Sequence, residues 1–334
     1  QVDELVAFVD LAPTVLSLAG IEKPQQMQGR AFLGSHRQSP APRQTVFLYG
    51  DRFDEICGMR RGITDGRFKY IRRFMPHLPA APYSFYQFSM PGWVAWRDAW
   101  KSGRLDGRHR AIWQSPQPVE ELFDVQADPW EIHNLADHPE HAARLAHMRQ
   151  ELQATMAATR DTGVIPEALF AEVAGESTLP DYAAKHPQRM QKALDLAILA
   201  SAAEPENLDA LTAAFAASDP VLRYWAVTGC AVLGDAASSA AAQLKKQLGD
   251  RTSAVRIAAA WALHAVGDVG AGRAALLAEL QKDLRDEEAI LLLNALRQID
   301  AADDVPREWI DRTLNNPNAN EYLRRFAQRA ASKR

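Results

Sequence analysis

The sequence predicts an α+β unit, a small antiparallel sheet with a packed helix, followed by an all-α solenoid. Three observations predict it. Residues 45–160 hold short β-runs around an Asp65-Gly66 turn and close on an amphipathic helix. Beyond residue 187 the composition turns to Ala and Leu. In that Ala/Leu part, sequence features recur at a spacing of 33 residues.

The elements follow in order. Asp10 is placed to cap a helix that has Pro13 in its first turn and Gly20 at its end, the usual asymmetry of helix termini. Residues 24–39 are polar and Pro-rich, a loop. Thr45–Tyr49 is a compact run of β-branched and aromatic residues. Met59–Thr64 and Arg67–Phe74 read as paired strands, and Asp65-Gly66 supplies the φ > 0 positions of a tight I′ turn. Prolines at 76, 79, 82, 91, 116 and 118 predict a long irregular segment over residues 76–118. Its aromatics, from Tyr83 to Trp100, argue against disorder. Glu121–Val125 is a strand, Asp128-Pro129 a turn, and Pro139–Ala158 a helix with Leu145, Met148, Leu152 and Met156 on one stripe.

Residues 161–187, rich in Pro, Gly and acid, read as a linker. After it, Arg223-Tyr224-Trp225-Ala226 recurs as Arg256-Ile257-Ala258-Ala259, and Gly234 as Gly267. Ala193, Ala226 and Ala259 fall in register, as do Leu263 and Leu296. The starts at Asp219 and Asp250 resemble HEAT-like units, four to five of them between Gln188 and Ala330. Trp225 and Trp261 sit on helices and read as core. An irregular helical bundle is the alternative. A solenoid of this kind suits contact with a protein partner or self-association.

Composition narrows the function. The net charge of −4 argues against a nucleic-acid binder, and it lies wholly in residues 1–184, because residues 185–334 carry 19 basic and 19 acidic side chains. Two cysteines, Cys57 and Cys230, make no disulfide framework and no C-x-x-C pair. No apolar run reaches the length of a membrane span. The first residue is Gln rather than Met, and the chain enters at once into a helix-like segment, so the sequence reads as the middle of a longer protein.

Six basic residues (Arg60, Arg61, Arg67, Lys69, Arg72 and Arg73) stand in the hairpin against one acid, Asp65. Asp51, Asp54 and Glu55 lie upstream, and His77 lies downstream between prolines. Arg forks match oxyanions and carboxylates accept from hydroxyls, so the set suits an anionic, hydroxyl-rich ligand. A solvated hairpin is the plainer reading of the same charges.

The order of segments resembles the C-terminal part of sulfatases, in the alkaline phosphatase superfamily. The residues are V-D-L-A-P-T-V-L-S-L-A-G-I (Val9–Ile21), M-Q-G-R-A-F-L (Met27–Leu33), F-K-Y-I-R (Phe68–Arg72) and E-L-F-D-V-Q-A-D-P-W-E-I-H-N-L-A (Glu121–Ala136). The resemblance covers about residues 1–170, and M-P-H-L-P with the aromatic run is most similar to the heparan N-sulfatase (sulfamidase) branch. It divides the chain into the tail of a catalytic domain (1–44), a C-terminal subdomain (45–160), the linker (161–187) and the solenoid (188–334).

The resemblance implies hydrolysis of sulfate esters or N-sulfates of a glycosaminoglycan-like carbohydrate, with formylglycine and calcium in the whole protein and a periplasmic or extracellular location. It implies no catalytic residue and no metal ligand in this chain. Cys57-Gly58-Met59-Arg60-Arg61 has the Cys and Arg of C-x-[PA]-x-R but lacks the Pro or Ala. The fragment alone is therefore expected to be inactive. Asp51, Arg52, Asp54, Glu55, Arg60 and His77 are the candidates for substrate contact, the carboxylates accepting from sugar hydroxyls and the arginines pairing with sulfate or carboxylate. The aromatic run either stacks on sugar faces or, for most of its members, fastens the segment to its own domain. A non-catalytic interaction module, and a phosphodiesterase or phosphonate hydrolase of the same superfamily, stand as alternatives.

Overall fold

The computed structural model describes residues 4–37 and 43–332. Helix α1 (Leu11–Leu18) comes first. Strands β1 (Val46–Phe53), β2 (Ile56–Thr64), β3 (Phe68–Arg73) and β4 (Glu120–Asp124) form one sheet in the order β1-β2-β3-β4. Strands β3 and β4 are antiparallel, with Tyr70 opposite Leu122. Between them lie three helices, α2 (Phe85–Phe88), α3 (Pro91–Lys101) and α4 (Gly107–Ala111), and after the sheet comes α5 (Ala142–Thr159). The chain groups into two compact units. The first is Gln1–Tyr49, Arg61–Arg72 and Glu120–Thr155; the second is Gly50–Arg60, Arg73–Val119 and Met156–Arg334.

In the first unit the expected cap at Asp10 takes another form. Its carboxylate makes no cap bond to α1. Asp10 is 1% exposed and accepts from the backbone N–H of Ala7 (2.8 Å) and Arg30 (2.9 Å) and from the Arg43 fork (2.6 and 2.9 Å). Burial opposes its charge, but the hydrogen bonds from Arg43, Arg30 and Ala7 together with the Arg43 charge outweigh this and hold the carboxyl below the usual range. Gly29 is needed beside it, because a Cβ there would lie 2.0 Å from the Val9 carbonyl oxygen. The hairpin turn also differs from the expectation. Gly66 has φ +89° but Asp65 has no positive φ. Instead the Asp65 carboxylate accepts from the N–H of Arg67 (2.9 Å) and Phe68 (2.6 Å) and closes an Asx-type turn.

The D-P-x-E-x-x-N-L block is explained by hydrogen bonding. Asp128 accepts from the N–H of Ile132 (2.7 Å) and His133 (2.8 Å). Asn134 then works as an extra rung beside β4, accepting from Leu122 N–H (2.9 Å) and donating to the Glu120 carbonyl (3.1 Å).

In the second unit, the stretch expected to be irregular is locally helical and built on aromatic packing. Ala81, Phe88 and Trp113 form its centre, with Tyr83, Trp93, Trp96 and Trp100 against them. The prolines break the stretch into short pieces without abolishing helix, because Pro91 sits at a helix start where its missing N–H costs nothing. Residues 161–187 likewise carry short helices, α6 (Phe170–Ala174) and α7 (Leu179–Lys185), with Val164, Ile165 and Leu169 buried.

Nine helices follow among the described residues: α8 (Pro187–Ala200), α9 (Leu208–Ala214), α10 (Pro220–Leu233), α11 (Ala241–Gln247), α12 (Ser253–Ala265), α13 (Val269–Glu279), α14 (Asp286–Gln298), α15 (Arg307–Asn315) and α16 (Glu321–Ser332). Helix α10 packs on α8 and α12, and α12 on α14. The 33-residue spacing has a chemical content. Arg223 donates to the carbonyls of Ala217 and Ser218, and Arg256 to those of Asp250 and Arg251. Each also grips an acid further along: Arg189 with Asp219, Arg223 with Asp250, and Arg256 with Glu279. Gly234 and Gly267 both hold positive φ just past the ends of their helices.

Candidate functional site

The charges of the hairpin are mostly consumed within the fold. In the first unit Arg67 pairs with Asp124 (2.9 Å), Lys69 with Glu131, and Arg72 with Glu120 (3.7 Å). Glu120 also receives the Arg149 fork (2.6 and 2.5 Å) and the Tyr70 hydroxyl. Burial of Glu120 favours its neutral form, yet these donors keep it below the usual carboxylate range. Arg61 is 2% exposed. These side chains fasten the sheet and are not a free anion-binding face.

Arg60 and Arg73 lie at a hollow instead. Both belong to the second unit, where they line a hollow of about 240 Å³ with Asp51, Gln87 and Trp93. Arg60 is exposed. A cavity of about 430 Å³ takes Asp51, Arg52, Cys57 and Glu167, with Tyr224 and Trp225 in its wall. Asp51 thus lines both. The two hollows flank the turn between β1 and β2, where Asp54 holds φ +51°.

The six expected contact residues divide into three groups. Asp51 and Arg60 line the smaller hollow and Asp51 and Arg52 the larger one. Arg52 is already engaged. Its Nε lies 2.5 Å from Glu167, and it donates to the Asp54 carbonyl (2.5 Å). Asp54 shapes the turn through its backbone. Glu55 and His77 face inward. The Glu55 carboxylate accepts from Phe85 N–H (2.5 Å) and lies 3.7 Å from Arg297. The Asn294 amide donates to the Glu55 carbonyl. The His77 ring packs edge-on against Trp261, centroids 4.8 Å apart. Both its ring nitrogens are enclosed without a hydrogen-bond partner, and that loss of hydration pushes its pKa down to about 4. Between its flanking prolines, His77 is used in packing against Trp261 and lines neither hollow.

Residue-level reading missed Gln87 and Glu167, which lie far from the turn in sequence. Arg73 was counted in the basic run without being distinguished from its neighbours. Only its strand-end position separates it.

The residues present do not fit a calcium–formylglycine centre. No group of three His, Cys, Asp or Glu is placed to hold a metal ion among the described residues. Cys57 lies on β2, and burial, followed by the nearby Glu167 charge, pushes its thiol up to about 12.

Residues 1–89 match the protein-family model described as N-sulphoglucosamine sulphohydrolase, C-terminal. Two curated relatives from Formosa agariphila, both described as ulvan-active sulfatases, are similar to this chain. One is 35% identical over 164 residues, covering 49% of this chain and 27% of the relative. The other is 29% identical over 171 residues, covering 48% and 30%. The chain spans under a third of the length of these relatives. Among solved structures, a Bacteroides thetaiotaomicron protein described as a sulfatase is 21% identical with TM-score 0.29, covering 46% of this chain and 25% of that one. A second, solved with its substrate D-glucosamine-2-N,6-O-disulfate, is 21% identical with TM-score 0.28, covering 44% and 23%. The N-terminal half therefore carries a segment similar to the C-terminal domain of sulfatases.

Proposed function

We propose that this chain is the C-terminal portion of a sulfatase acting on a sulfated carbohydrate, and that it supplies substrate-cleft loops but not the nucleophile. The observation that carries the reading is the match of residues 1–89 to the sulfohydrolase C-terminal model, which contains Asp51, Arg60 and Arg73. Those three side chains, with Gln87, line one hollow. The chemistry is complementary to a sulfated sugar: guanidinium forks donate to sulfate or carboxylate oxygens, and Asp51 accepts from a hydroxyl or an amine. In the whole protein, calcium and formylglycine would come from residues outside this set. The Arg–acid ladder and paired glycines support a HEAT-like reading of residues 188–334, and the family resemblance supports a periplasmic or extracellular location.

The reading is tested on the 334-residue chain. It should bind a heparin-derived disaccharide and turn over no 4-nitrophenyl sulfate. Arg60→Ala should weaken disaccharide binding about tenfold, since a charge-assisted hydrogen bond contributes on the order of 1.5–3 kcal/mol. Absence of binding, or turnover by the isolated chain, would sink the proposal.

A further inference from the structure

A larger groove of about 960 Å³ lies elsewhere in the second unit. Four cations line it: Arg97, Lys101, Arg297 and Arg329, against two carboxylates, Asp300 and Asp303. Trp100 and Trp113 form a stacked pair in its wall, centroids 6.1 Å apart. Three of the cations lie over aromatic rings. The Arg297 guanidinium carbon lies 4.1 Å from the Tyr83 ring centroid and 4.7 Å from that of Phe326. Arg329 sits 4.9 Å from Tyr83, and Arg97 5.0 Å from Phe88. Arg97 also donates to Asp98 (3.2 and 3.0 Å), and Arg297 also lies 3.7 Å from Glu55.

Two groups in this wall lack partners. Trp113 is 6% exposed, and its Nε1–H has no hydrogen-bond acceptor; the Tyr83 hydroxyl is enclosed in the same way. The groove also adjoins the hollow that holds Asp51, Arg60 and Arg73. Pro79, Ala81 and Pro82 line both.

We infer that this groove binds the neighbouring residues of an anionic oligosaccharide whose sulfated terminus lies in the smaller hollow. Indole faces suit the C–H faces of pyranose rings, and the cations suit sulfate or carboxylate groups along the chain. The inference rests on the proposed function for the glycan class alone. The ligand is then an oligomer and not a free monosaccharide, and the groove residues set preference for chain length.

The test is calorimetric titration of the 334-residue chain with a heparin-derived disaccharide and tetrasaccharide of matched sulfation. The tetrasaccharide should bind at least about tenfold more tightly. Lys101→Glu and Arg329→Gln should each remove most of that gain and leave disaccharide affinity unchanged. Lys101 is exposed, so its substitution leaves folding intact, which a melting curve verifies. Equal affinity for the two lengths, or a gain that survives both substitutions, overturns the groove. Failure of disaccharide binding with a tetrasaccharide affinity that still depends on Lys101 overturns the proposed function instead.

Discussion

Asp250 anchors a nearly dry ion pair among the C-terminal helices. Its carboxylate receives the Arg223 fork (2.6 and 3.0 Å) and the N–H of Thr252 (2.8 Å). The Arg223 and Asp250 side chains are each 7% exposed, so water cannot take over if one partner is lost. Asp250→Ala leaves Arg223 with only neutral partners, the Ala217 and Ser218 carbonyls and the Thr252 hydroxyl, and a nearly dry positive charge. Removing one member of such a pair costs about 3–5 kcal/mol, whereas replacing both with apolar groups of similar size is close to neutral. Urea denaturation followed by helical circular dichroism should therefore show a midpoint lower by roughly 1 M or more for Asp250→Ala. The double variant Arg223→Met with Asp250→Leu should recover most of it. Burial opposes the Asp250 charge, but the Arg223 and Thr252 hydrogen bonds and the Arg223 and Arg251 charges together outweigh it, and the folded-state pKa lies below the ordinary value. The pair's contribution is thus present above the unfolded pKa of about 3.8 and is lost as pH falls through the lower folded value. A single variant within about 1 kcal/mol of the parent would refute the reasoning, as would a double variant no better than the single.

Two further outcomes follow from buried groups in the same unit. Trp225 is 2% exposed and donates to the Val164 carbonyl (2.7 Å), so Trp225→Phe should cost about 1–3 kcal/mol in chemical denaturation. His77 is held neutral by burial, with its pKa at about 4 against 6.5 when exposed. The unfolded chain binds more protons between those values, so stability should fall as pH drops from 6.5 toward 4, by up to about 3 kcal/mol. His77→Phe should flatten that slope, and an unchanged slope would remove His77 as its source.

The strands and the closing helix were legible because each is a local pattern. Alternation, a turn at Asp65-Gly66 and an apolar helical stripe act within a few turns of chain. The D-P-x-E-x-x-N-L block was legible as a signature, and its bonds at Asp128 and Asn134 show why those residue types are required. Pairing partners were not legible. Six basic residues within fourteen positions look alike in sequence, yet Arg67, Lys69 and Arg72 meet acids 57, 62 and 48 residues away. The same holds for Glu55, whose partners Phe85, Arg297 and Asn294 are distant in sequence.

By itself, the sequence determined the order of the strands and the closing helix, and the family resemblance, since these depend on short-range propensity and spacing. Tertiary structure decided which charges fasten the sheet and which line a hollow. It withdrew Glu55 and His77 into packing and set Arg60 and Arg73 beside Asp51. It also gathered Arg97 and Lys101 with Arg297 and Arg329. The physical reason is that a side chain's role follows from its desolvation and its nearest opposite charge, and both are fixed by residues far along the chain.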